Sequence, residues 1–157
     1  MSRMLPVKIL PPSPSASTTL SPPRAFLPAV PKPSLHLHGL VVGVESFGQG
    51  LQCLPGAPRD ASRFYLELSH RERYPGSAIQ PLFNPTRGEF AAALQELCQQ
   101  VQAHPSGQVL LYLSTHGIYQ KGVYHLCFKD SRWTKSGYEQ TVSWPELRTW
   151  LAPLRER

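Results

Sequence analysis

The run Val109–Gly117, V-L-L-Y-L-S-T-H-G, constrains this chain more than any other stretch. Val109 to Leu113 carry no charge, which predicts a buried strand. Ser114 and Thr115 follow, and then His116 and Gly117. An α/β protein places its chemistry at the carboxyl ends of its central strands, where the sheet opens onto a crevice. His116 is therefore the leading candidate for a functional side chain, and as a base it needs a partner elsewhere.

The segments around this run alternate. Leu40–Val44 is apolar and β-branched, as expected of a strand buried on both faces. His36 and His38 share one face of it by the period of two. Such a pair could bind a metal, but no third ligand is evident, so no metal is expected. Gly43, Gly48 and Gly50 miss the G-x-G-x-x-G spacing of a dinucleotide site. They predict a flexible loop and no cofactor. Pro55-Gly56 marks a turn, and a short helix without a clean apolar stripe runs from about Pro58 to Leu68. Arg71–Gly76 reads as a polar loop and Ala78–Phe83 as a second strand.

Thr86 with Glu89 has capping-box spacing, and Phe90, Ala93, Leu94, Leu97, Cys98 and Val101 recur at helical intervals behind it. His104-Pro105-Ser106-Gly107 stops that helix. Beyond Gly117 the sequence predicts a loop over Ile118–Lys121 and a turn at Gly122. Val123–Phe128 reads as a strand, one arm of a small hairpin, and Asp130–Gln140 as a polar loop. Ser143 with Glu146 repeats the capping-box spacing, and Pro145 suits a first helical turn. Trp144, Leu147, Trp150 and Leu151 are expected to form the apolar face of this last helix, closed by Pro153. The order predicts an α/β fold with a mostly parallel sheet and helices on both faces. A further central strand would normally come after the last helix, so the sheet is expected to be incomplete at the C-terminus.

Residues 1–34 hold nine of the 17 prolines and are expected to be a disordered tail, with the domain over 35–157. Of the net charge of +6, Arg3, Lys8, Arg24 and Lys32 place +4 in that acid-free tail. The body keeps +2, too balanced for a nucleic-acid footprint. The three cysteines, Cys53, Cys98 and Cys127, match no metal spacing and suit a reducing compartment. No apolar run approaches the roughly 18 residues of a membrane span, and the N-terminus does not read as a signal peptide. A cytoplasmic protein that binds neither membrane nor nucleic acid is expected.

Several of these pieces resemble, in order, the caspase-like family of cysteine proteases, most closely its prokaryotic members. L-V-V-G-V (Leu40–Val44) is similar to the family's first strand, and L-P-G-A-P-R-D-A (Leu54–Ala61) to the step into its first helix. N-P-T-R-G-E-F (Asn84–Phe90) resembles the start of the second helix. L-Y-L-S-T-H-G (Leu111–Gly117) resembles the strand ending in a His-Gly pair, and V-S-W-P-E-L-R-T-W-L (Val142–Leu151) the helix before the cysteine strand. The resemblance implies a three-layer caspase-like fold acting on peptide or protein substrates. In it, His116 is the base and acid of a Cys-His dyad, and the Gly117 backbone N–H is an oxyanion-hole donor.

The nucleophile is where the sequence departs from the family. In caspases it lies about 50 residues beyond the histidine. Only 41 residues follow His116, and the one cysteine among them, Cys127, sits in the strand-like run Y-H-L-C-F. No nucleophile is evident. Two readings follow. The chain is the histidine half of a peptidase, inactive without a cysteine-bearing partner segment, or it is a non-catalytic pseudo-protease or binding module of the same fold. In both, a missing strand is expected to leave an open sheet edge prone to self-association.

Overall fold

The computed structural model describes residues 36–70, 74, 77–104 and 106–154. The Pro-rich segment 1–34 and most of the polar loop 71–76 lie outside these residues. At the centre is β1 (Leu37–Gly43), all seven residues of which are buried. It pairs in parallel with β2 (Ala78–Phe83) on one side and β3 (Gln108–Ser114) on the other, with Val42 opposite both Leu82 and Leu113. Two crossover helices make this possible, since parallel neighbours need a long return connection. α1 (Gly56–Leu68) lies on one face, where Ala61 and Leu68 meet Leu37 and Val41. α2 (Arg87–Ala103) lies on the other, where Phe90, Leu94, Leu97 and Val101 meet Leu40, Val42 and Val44. The result is the three-layer α/β arrangement expected from the alternation. Gly43 lets α1 approach closely: a Cβ there would stand 2.8 Å from both the Ala57 carbonyl oxygen and the Pro58 Cα.

The strand carrying His116 is not the buried central one. β3 is an edge of this sheet among the described residues, and Val109 is 39% exposed. An uncharged run marks a strand, but pairing partners decide its place in the sheet. β1 takes the centre because both of its edges are paired, and it is buried because both of its faces find a helix.

A second sheet corrects two predicted loops. Ile118–Lys121 is mostly β4 (Gly117–Gln120). Asp130–Gln140 is the end of β5 (Val123–Thr134) and the start of β6 (Gly137–Ser143). The three strands form an antiparallel sheet in the order β4-β5-β6. Its turns are as short as hairpins allow. Lys121-Gly122, with φ of 49° and 80°, joins Gln120 to its cross-strand partner Val123, and Lys135-Ser136 joins Thr134 to Gly137. β5 is irregular between Cys127 and Arg132. There the buried Ser131 hydroxyl accepts from the Phe128 N–H and donates to the Gln140 carbonyl, both at 2.7 Å. Ser131 thus satisfies the Phe128 N–H and the Gln140 carbonyl where the ladder is interrupted. Leu126, Phe128 and Val142 bury against α2, and Phe128 stacks on Phe90 with ring centroids 4.6 Å apart.

α2 and α3 (Trp144–Trp150) each open with a complete capping box, Thr86 with Glu89 and Ser143 with Glu146. The Thr86 N–H and hydroxyl both donate to the Glu89 carboxylate, which holds its pKa below the ordinary value. Arg87 ties the helices together. Its guanidinium pairs with Glu146, donates to the Thr141 carbonyl at 3.1 Å and lies 5.7 Å from the centre of the Trp150 ring. Leu147 buries as expected, but Trp144 does not join it. At the first helical position it stands beyond the core margin, 51% exposed. A short 3-10 turn, Ala152–Leu154, follows α3 and contains Pro153. No helix among the described residues is long and apolar enough to cross a membrane.

Candidate functional site

The two sheets meet at His116. β3 ends at Ser114 and β4 begins at Gly117, so Thr115 and His116 form the crossing. β5 pins that crossing from both residues: the Thr115 hydroxyl donates to the Cys127 carbonyl, and the Cys127 N–H donates to the His116 carbonyl at 2.9 Å. His116 thus stands at the carboxyl end of a parallel strand, half-buried, on backbone held by a second sheet.

Its ring is held by the loop after β1. Nε2 of His116 lies 2.8 Å from the Gln52 carbonyl oxygen. A carbonyl only accepts, so Nε2 carries the proton and donates. In the neutral ring Nδ1 is then the basic nitrogen. Phe47 packs against the imidazole with ring centroids 4.8 Å apart. Ring position, tautomer and the identity of the base therefore all depend on the segment 45–54.

This segment corrects the expectation of a flexible loop, because hydrogen bonds fasten it along its length. The Leu54 N–H closes it onto the Glu45 carbonyl at 2.9 Å. The Asn84 side-chain oxygen accepts from the Glu45 and Ser46 N–H groups at 2.8 and 3.1 Å. The Gly48 N–H donates to the Ser131 carbonyl, and the Trp133 N–H donates to the Gln49 carbonyl. The loop is in effect laid along the distal half of β5. Gly50 makes that contact possible: its φ is +92°, and a Cβ there would lie 2.6 Å from the Trp133 Cβ. Gly48 and Gly50 serve close approach to a strand.

Gly117 follows directly. Because the Cys127 N–H reaches the His116 carbonyl, Gly117 and Leu126 form a non-hydrogen-bonded pair in the ladder. The Gly117 N–H therefore points away from β5. The side chain of Tyr124 fills the space beside it, since a Cβ on Gly117 would overlap the Tyr124 hydroxyl.

Of the cysteines, Cys127 meets His116 through the backbone and Cys53 adjoins it through the loop. Cys53 is exposed and directly follows Gln52. Cys98 is buried beside the Trp150 carbonyl, with its Sγ at 3.7 Å. Cys127 is buried, and desolvation pushes its thiol up to about 11, so it stays protonated at neutral pH. His36 and His38 gain a neighbour that the sequence did not suggest. The His104 ring lies 6.3 Å from that of His36 and 5.2 Å from that of His38. Even so, no group of three or more His, Cys, Asp or Glu side chains among the described residues is placed to hold a metal ion.

Sequence reasoning missed Gln52 and Asn84. Gln52 acts through its backbone carbonyl, which leaves no trace in residue type. Asn84 did carry a signal: with φ of 50° it is one of the few non-glycine residues in the left-handed region, a conformation that asparagine tolerates well.

Two comparisons with known proteins bear on this geometry. The family model described as the caspase domain matches residues 37–143, from the first residue of β1 to the last of β6. Among curated proteins, none matches the chain.

Proposed function

We propose, for a chain that belongs to the caspase-domain peptidase family, that His116 is the general base and acid of a cysteine-type endopeptidase whose thiol comes from outside residues 1–157. One observation carries this reading: the 2.8 Å contact between His116 Nε2 and the Gln52 carbonyl, which leaves Nδ1 as the basic nitrogen at the carboxyl end of the parallel sheet. In such a site Nδ1 takes the thiol proton as the sulfur attacks the peptide carbonyl. It then returns that proton to the departing amine. The Gln52 carbonyl stabilises the imidazolium formed between the two steps. The Gly117 N–H, directed away from β5, is the oxyanion donor.

The side of β3 that pairs with no strand among the described residues gives the thiol a place. A strand paired there lies roughly 4.8 Å away, and if parallel to β3 its carboxyl end comes out beside His116. In this reading residues 1–157 alone are inactive: Cys127 and Cys98 are buried, and the exposed Cys53 adjoins the carbonyl on Nε2 rather than the basic Nδ1. That same burial favours the second reading, a non-catalytic binding module.

The test is to mix this chain with a candidate segment that carries a cysteine after an apolar strand. Peptides with acidic and with basic residues before the scissile bond serve as substrates. The mixture should cleave where neither piece does. His116→Ala should lower kcat/KM by on the order of 10³-fold, while Gln52→Ala, which keeps the carbonyl, should be nearly silent. Failure of the pieces to associate, or cleavage indifferent to His116→Ala, would leave the binding module standing.

A further inference from the structure

A pocket at the far end of the antiparallel sheet has no part in the reading above. It has a volume of about 310 Å³, and Tyr119, Trp133 and Tyr138 line it. Trp133 and Tyr138 are directly opposed across β5 and β6, their rings edge to face at 4.8 Å. Tyr119 is 76% exposed and Trp133 54%. Large aromatic side chains left in solvent are the residue types that carry binding energy at interfaces, at little cost in side-chain entropy.

Two lysines stand on its rim for a reason built into the backbone. Lys121 opens the two-residue turn between β4 and β5, and Lys135 opens the turn between β5 and β6. The side-chain amide of Gln120 joins these turns. Its oxygen accepts from the Tyr138 N–H at 2.6 Å, and its nitrogen donates to the Tyr138 carbonyl at 3.3 Å. The two cations are thus set beside one aromatic cavity, and no carboxylate among the described residues lines it. Glu139, on the same hairpin, is engaged by Arg132 at 3.4 Å and by the Thr134 hydroxyl at 3.1 Å.

We propose that this pocket docks an acidic segment of a partner protein, with an aromatic residue against Trp133 and Tyr119 and flanking carboxylates on Lys121 and Lys135. Charge complementarity selects this occupant. The chain's own segment 1–34 carries four cations and no acid, so the two lysines repel it. The site is independent of the peptidase reading, because it uses neither His116 nor a thiol.

Fluorescence anisotropy tests it with the full chain and a labelled peptide containing one tyrosine between pairs of glutamates. Binding should saturate and weaken with added salt. The double variant Lys121→Glu with Lys135→Glu should weaken it by roughly tenfold or more, because reversing both rim charges replaces attraction with repulsion. Tyr119→Ser, at a position already in solvent, should weaken it independently of charge. His116→Ala should leave it unchanged, which separates failure here from failure of the catalytic reading. Absence of saturation, indifference to the double variant, or equal binding of a peptide with lysines in place of the glutamates would overturn the proposal. So would equal competition by an oligothymidylate, which would make the site one for nucleic acid.

Discussion

Every residue of β1 in the parallel sheet is buried, whereas Tyr119, Tyr124 and Trp133 of the antiparallel sheet stand in solvent. The two sheets are comparable in strand number, and the domain match spans both. They differ in what covers them. Helices cover the parallel sheet on each face, so its order comes from burying apolar area. The antiparallel sheet borrows the core only through residues such as Leu126, Phe128 and Val142. Elsewhere it relies on short turns, the Ser131 bridge and the Gln120 amide. His116 draws on both kinds of order, with its backbone at the junction and its ring held by the loop that lies on β5.

The sharpest test of that contrast sets Phe90 against Trp133. Phe90 is fully buried and stacks on Phe128, so it couples the two halves through the core. Phe90→Ala should cost about 3–5 kcal/mol, the usual range for emptying such a site. Trp133→Ala removes an exposed side chain but leaves its N–H on the Gln49 carbonyl. It should cost less than about 1 kcal/mol. Urea unfolding at constant m-value reads both. Comparable losses would mean that the antiparallel sheet carries a core of its own.

Alkaline pH probes the seam between the halves. Burial raises the Cys127 thiol to about 11 from an ordinary value of 9.0. Below the unfolded value both states keep the proton, so the stabilising difference is complete. Between pH 9 and 11 the unfolded chain loses the proton first, and stability falls by about 2–3 kcal/mol. Cys127→Ser should flatten that slope. Alkylation at neutral pH should label Cys53 and spare Cys98 and Cys127 until the chain unfolds.

What the sequence reveals follows the same division. β1, α2, α3 and both capping boxes are legible because burial on two faces and helical periodicity each impose a pattern, while β2 and α1 are marked mainly by the turns that bound them. The antiparallel sheet is legible only at Val123–Phe128, the start of β5. Its turns are two residues long, its outward positions are polar or aromatic, and Asp130–Gln140 has no apolar run to mark a strand. At the site, His116 and Gly117 stand out by their place at a strand end. The Gln52 carbonyl cannot be read from residue type, and the glycines at 48 and 50 read as flexibility although they serve close packing.

Gly50 tests whether that packing governs His116. Gly50→Ala places a Cβ against the Trp133 Cβ in a backbone conformation that L residues rarely adopt. It should cost about 1–3 kcal/mol. It should also shift the His116 ring signals in the ¹⁵N NMR spectrum, as the Gln52 carbonyl moves off Nε2. An unchanged ring would mean that Phe47 suffices to hold it.

Asn84 gives the smallest effect and the cleanest separation. Its φ of 50° and its side-chain oxygen both matter, the first for the turn after β2 and the second for the Glu45 and Ser46 amides. Asn84→Gly keeps the first and removes the second, while Asn84→Ala removes both. If the side chain is what fastens the loop, the glycine variant loses about 1 kcal/mol. Its His116 ring should then exchange between tautomers, because the Gln52 carbonyl is no longer held in place. The alanine variant should lose about 1 kcal/mol more through strain at positive φ. A glycine variant with native stability and a single Nε2–H tautomer would show that contact with β5 alone positions the loop, and would assign the orientation of His116 to the antiparallel half.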